Sequence, residues 1–192
     1  MDFHFSDELV QVLEFSRDEA LRTGWHNICP DHIMLGLLRH YDNAAYRSLE
    51  ALGLDPALLK AAIDEAIFVS EQIPWEERES IHLSESSLSL LQAASLEAAR
   101  CGSPITDSIH FLFAICRMSG SYTHDALCDG GVSLRALVEA SGLEWARYGL
   151  KTPPDVRPDA PTTGHIPDPA IMAAAIEQRL LDGYTPDNPI VS

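Results

Sequence analysis

His26, Cys29, Asp31 and His32 fall within one short stretch and are the residues best suited to metal chemistry. Imidazole and thiolate at this spacing suit zinc. A closed zinc site needs four ligands, however, and no second Cys/His pair has matching spacing. The other reading is that His32 packs and hydrogen-bonds at a helix start, with His110 as its counterpart. We therefore expect no metal and no cofactor. Nucleophilic catalysis would require a serine or cysteine in an activating context, and no Gly-x-Ser-x-Gly elbow occurs. Most serines stand at expected helix caps or on polar helix faces. The acidic pairs Asp18-Glu19 and Glu76-Glu77 read as solvated faces, since a catalytic dyad needs a pocket to split its pKa values. Lys60 and Lys151 each follow a leucine, so the Gly-Lys of a phosphate-binding loop is missing. The expectation is a protein that is not an enzyme.

What positions these residues is a duplication. Sliding the chain by 78 aligns Ser6 with Ser84, Leu13 with Leu91, Glu19-Ala20 with Glu97-Ala98, Arg22 with Arg100, and Gly24 with Gly102. The same register aligns His32 with His110, Arg39 with Arg117, Leu49 with Leu127, Gly53 with Gly131, Leu59 with Leu137, and Ala62 with Ala140. Chance supplies only about three or four identities over such a span.

Each copy reads as four helices, and no segment reads as a strand. Ser6 caps the first helix, which carries Leu9, Val10, Leu13, Ala20 and Leu21 on one stripe and ends at Gly24. Pro30 sits at the first position of a helix that is apolar all round, a pattern that belongs at the centre of a bundle. Asp42 is expected to open the third helix, which runs to Gly53. Asp55-Pro56 opens the fourth, with Leu58, Leu59, Ala62, Ile63 and Ile67 spaced for one buried face. Ser84, Gly102, Thr106 or Asp107, and Gly130-Gly131 punctuate the second copy in the same way.

The expected organisation is a double repeat over residues 1–148. It comprises a first copy at about 5–68, a connector at 69–82 and a second copy at about 83–146, followed by a proline-rich tail at 149–192. Within the tail, residues 169–181 could form a short helix with Ile171, Met172, Ile176 and Leu180 on one face. That face either docks on its own domain or serves a partner as a helix-in-groove ligand.

A net charge of −16 repels nucleic-acid phosphates and anionic membranes, and attracts basic segments of other proteins. With no run of about 20 apolar residues and no signal-peptide pattern at the start, the expected location is cytoplasmic. Cys29, Cys101, Cys116 and Cys128 are then free thiols.

Three runs carry a specific resemblance: Phe5-Ser6-Asp7 through Gly24, Pro30 through Leu38, and Leu49 through Leu54. They resemble the Clp N-terminal repeat, an all-α, pseudo-twofold bundle of eight helices found at the front of Hsp100-class ATPase unfoldases. The similarity covers both copies, about residues 3–147, and is weaker in the second, where Ser108-Ile109-His110 replaces the acidic-His pair. It implies a free-standing, non-catalytic module that binds protein partners: substrate, adaptor or a Clp-type ATPase. The alternative it leaves open is a regulator that caps, or competes for sites on, a Clp protease or secretion-system ATPase assembly. Some members of that family recognise phosphorylated arginine through the acidic residue of the turn before the central helix. Ser6 and Asp31 match those positions in the first copy and Ser84 in the second, where Ile109 stands at the acidic position. Family members also grip partners at the seam between repeats, which Trp25, Tyr41, Tyr46 and Trp75 could rim.

Overall fold

The computed structural model describes residues 4–69 and 73–142. The expected tail helix at 169–181, with Ile171, Met172, Ile176 and Leu180, lies outside the described residues. The first half contains α1 (Asp7–Thr23), β1 (Asn27–Ile28), α2 (Pro30–Arg39), α3 (Ala44–Ala51) and α4 (Pro56–Ile67). A 3-10 helix (Trp75–Ser80) and β2 (His82–Leu83) lead into α5 (Glu85–Arg100), α6 (Ser108–Arg117), α7 (Tyr122–Asp129) and α8 (Leu134–Ala140). The protein is predominantly helical, and the fold is that of an all-α duplicated bundle. The first residues of α1 and α5, α2 and α6, α3 and α7, and α4 and α8 each stand 78 apart.

Local chemistry explains these starts. The Ser6 hydroxyl accepts from the Leu9 amide at 3.1 Å, and Asp7 and Glu8 face the positive end of α1. Gly24 closes the helix at φ 84°, a conformation that costs a side chain dearly. In α2 the His32 Nδ1 accepts from the backbone amide of Cys29 at 3.0 Å. In α6 the His110 Nδ1 accepts from the Asp107 amide at 3.1 Å. Histidine thus takes the place that Glu or Gln holds in the usual capping box, which accounts for the aligned His32 and His110.

Two helix readings need correcting. Asn43, not Asp42, caps α3: its Oδ1 accepts from the Tyr46 amide at 2.7 Å and its Nδ2 donates to the Leu37 carbonyl at 2.8 Å. Asn43 is completely buried, and the donated bond is one that the isosteric but acceptor-only aspartate side chain could not make. In α4, Leu59, Ile63 and Ile67 are buried while Leu58 is 70% exposed, because it sits a 100° step off their stripe.

Residues 31–38 of α2 and 108–115 of α6 are buried throughout, and side chains of both halves join one core. Short strands appear where none was expected. β1 and β2 pair in parallel, Asn27 with His82 and Ile28 with Leu83, and a bridge joins Phe5 to Thr106. Stretches this short cannot display an alternating pattern. Shifted by 78, Leu83 becomes Phe5 and Ile28 becomes Thr106. The segment ahead of each repeat's first helix therefore pairs with the turn before the other repeat's central helix, in a reciprocal exchange.

Candidate docking surface at the repeat seam

The exchange decides which candidate residues meet. The Ser6 amide donates to the Thr106 carbonyl at 2.9 Å, and the Ser84 amide donates to the Ile28 carbonyl at 3.0 Å. Ser84 therefore stands against the first-copy turn that leads to Asp31, and Ser6 against the second-copy turn that leads to Ile109. Both hydroxyls cap their helices; that of Ser84 accepts from the Ser87 amide at 3.2 Å. Asp31 is 7% exposed, and its Oδ1 accepts from both the amide and the hydroxyl of Thr123, each at 2.7 Å. Thr123 lies in the first turn of α7, so the carboxylate also meets the positive end of that helix. In the opposite sense, the Ala45 amide of α3 donates to the Ser108 hydroxyl at 3.4 Å. A hydroxyl in the second copy does what a carboxylate does in the first, and Ile109 is free to be apolar.

The glutamate of the Asp18-Glu19 pair is not a solvated face. Glu19 is buried, accepts from Arg22 Nε at 2.7 Å, and lies 3.6 Å from Arg39 Nη1. The second copy repeats this: Glu97 is buried, lies 2.9 Å from Arg117 Nε, and pairs with Arg100. Periodicity placed these glutamates on a helix and could not show that two arginines from different helices converge on each. Their recurrence at the repeat spacing was the available signal. By contrast, Glu76 and Glu77 are exposed. Arg78 clamps the 3-10 helix to α1, with Glu14 and Asp18 each at 2.7 Å. Burial alone would lower its pKa, but the hydrogen bonds that Arg78 donates to Glu14 and Asp18 reverse that and raise it.

His32 is fully buried, and its Nε2 lies 2.9 Å from the Thr23 hydroxyl. With Nδ1 accepting from Cys29, the neutral ring carries its proton on Nε2. Burial, aided by the Arg22 charge, lowers its pKa to about 4. Burial likewise raises the Cys29 thiol and pushes Cys116 up to about 12. His26 is exposed, 4.0 Å from Glu77 rather than joined to Cys29 and His32. Among the described residues no group of three or more His, Cys, Asp or Glu side chains could hold a metal ion.

The aromatic candidates divide. Tyr46 is half-buried against the core, whereas Tyr41 is 76% exposed, Trp75 64% and Trp25 40%. Trp25 is anchored through Nε1, which donates to the Ile67 carbonyl at 2.7 Å, while its ring meets His32 edge-on. A shallow groove of about 270 Å³, including its open mouth, lies at the seam. Pro30 of the first repeat faces Ser86, Leu90, Ile115, Met118 and Ser119 of the second across it. The repeat spacing puts Glu8 and Tyr41 at the positions of Ser86 and Ser119, so the second repeat has the smaller side chains here.

The model of the Clp repeat (R) N-terminal domain matches residues 4–129. The chain belongs to this family. Among its relatives is the "Chaperone protein ClpB" of Oceanobacillus iheyensis, 29% identical over 130 residues, which are 68% of this chain and 16% of that protein. The "Negative regulator of genetic competence ClpC/MecB" of Bacillus subtilis is 28% identical over 130 residues, with the same coverage. The "Chaperone protein ClpC2, chloroplastic" of Oryza sativa subsp. japonica is 36% identical over 63 residues, 33% of this chain and 7% of that protein. The aligned part of the chain thus spans about a sixth of the length of the first two relatives. In this Clp repeat pair, the polar contacts of Asp31, Ser108 and the exchanged strands join the two halves at the seam, while Tyr41, Trp25 and Trp75 are exposed. No described helix is long and apolar enough to cross a membrane.

Proposed function

We infer that the chain is a non-catalytic docking module that receives segments of substrate or adaptor proteins in the cytoplasm, without an ATPase motor in its 192 residues. The observation that carries this reading is the seam groove, built from both repeats and lined by apolar side chains beside small serines. The enclosed part of the groove is only about 40 Å³, far below ordinary small-molecule sites, so it takes at most the tip of one side chain of an extended peptide. Asp31 already holds Thr123, so a phosphorylated arginine would have to compete with that contact; this favours apolar recognition over use of Ser6, Ser84 and Asp31 as an anion site. The tail face of Ile171, Met172, Ile176 and Leu180 then serves as a tether, or docks in cis.

The test is binding of an unfolded model protein, reduced and carboxymethylated lysozyme, to the full chain. Ser86→Glu combined with Ser119→Tyr places the first repeat's residues in the second-repeat groove at two exposed positions. Weakened binding with an unchanged melting temperature supports the groove. Absence of binding by the unmodified chain removes the reading.

A further inference from the structure

A second exposed surface lies away from the seam groove, around the turn Gly24–His26. Trp25, Phe68, Val69 and Trp75 are 40%, 53%, 39% and 64% exposed. Hydrogen bonds place them together: Trp25 Nε1 to the Ile67 carbonyl at 2.7 Å and the Val69 amide to the Thr23 carbonyl at 2.9 Å. The approach of His26 to Glu77 at 4.0 Å brings the 3-10 helix, with Trp75, to the same turn. Aromatic residues half in solvent and anchored by backbone contacts are characteristic of binding surfaces.

The rim of this surface is acidic. Glu76 and Glu77 are exposed, and the C-terminal end of α4 adds partial negative charge at Phe68. Of the cations nearby, Arg22 and Lys60 are paired with Asp64, and Arg78, whose guanidinium lies over the Trp75 ring at 5.5 Å, is paired with Glu14, Asp18 and Glu79. The chain's own segments do not complement this rim. Residues 143–192 carry Arg147, Lys151, Arg157 and Arg179 against seven acidic side chains, and a second copy brings a net charge of −16.

We propose that this face docks a basic, apolar segment of another protein, with aliphatic or aromatic side chains on Trp25, Phe68 and Trp75 and lysine or arginine beside Glu76 and Glu77. It deepens the docking reading above by adding a second surface and the chemistry of its partner. Aromatic faces add cation–π attraction to the charge pairing.

The experiment titrates the full chain with three fluorescent peptides, one alternating Lys and Leu, one Glu and Leu, and one Lys and Ser. The expected result is that only the Lys/Leu peptide binds. Its affinity should drop about tenfold in Phe68→Ala and in the double variant Glu76→Gln, Glu77→Gln, all of them exposed positions. Raising the salt should weaken it further. The proposal is overturned if the Glu/Leu or Lys/Ser peptide binds as well, if the variants bind like the wild type, or if a peptide of residues 169–181 binds this face equally. Should the lysozyme probe bind through the groove while the Lys/Leu peptide does not bind, this surface is refuted and the docking function stands. Failure of both probes refutes both.

Discussion

Asp31 and Thr123 are joined across the repeat interface by two hydrogen bonds of 2.7 Å to a single carboxylate oxygen. A residue in the position of a ligand-binding acid thus serves as an inter-repeat clamp, capping the first turn of a helix from the other half. Removing it leaves a buried amide and a buried hydroxyl without their acceptor. We expect Asp31→Ala to lower the unfolding free energy by about 2–3 kcal/mol, and Asp31→Asn by less, since an amide oxygen still accepts. Urea denaturation checks both. A double cycle with Thr123→Ala should show strong coupling. If Asp31→Ala leaves stability intact, the clamp is not energetic.

Gly36 is the second structural pivot, because α1 and α2 touch there. A Cβ at this position would stand 2.5 Å from both the Ser16 hydroxyl and the Val12 carbonyl oxygen. Gly36→Ala should cost about 1–3 kcal/mol by forcing the helices apart. Adding Ser16→Ala should not restore stability, since the Val12 contact is backbone. Full rescue in thermal melts would locate the whole conflict in the hydroxyl.

His32 makes stability depend on pH. Its pKa is lowered from the ordinary 6.5 to about 4 in the fold, so between those values the unfolded chain binds more protons than the native one. Stability therefore falls as pH drops below 6.5, and the loss is complete below about 4. The full effect is at most about 3 kcal/mol. His110 is lowered as well, chiefly by burial, and acts in the same sense. His32→Gln keeps an acceptor for the Cys29 amide but cannot titrate. Urea melts from pH 8 to 4 should show a shallower decline for that variant than for the wild type; parallel curves would rule His32 out as the cause.

The thiols should differ in reactivity. Cys128 is exposed, whereas burial holds the Cys116 thiol near a pKa of 12. Iodoacetamide at pH 8 should modify Cys128 well before Cys116, because only the thiolate reacts. Peptide mass spectrometry over time reads the order. Early labelling of Cys116 would mean that α6 opens readily.

What the sequence determined alone is what depends on near neighbours. Ser6, Ser84, Pro30, Pro56 and the closing glycines mark helix ends because capping and backbone freedom are decided within a few residues. The unbroken apolar runs of α2 and α6 identify the central helices because no exposed face is left for them. The recurrence at 78 residues carried the pairing of the two halves, and with it the family.

The candidate site was less legible, since its geometry joins residues far apart in the chain. Sequence matched Ser6 with Asp31, but the exchanged strands set Ser84 against the Asp31 turn instead. Glu19 looked like half of a solvated pair until Arg22 and Arg39 closed over it, for a carboxylate can be buried only when opposite charge arrives from another element. Asn43 displaced Asp42 as a cap because only an amide could also donate to Leu37. Caps and apolar periods are local free energies and can be read along the chain. Which buried polar group finds which partner is decided only when the two repeats close on each other, because desolvation makes every unmatched pairing costly.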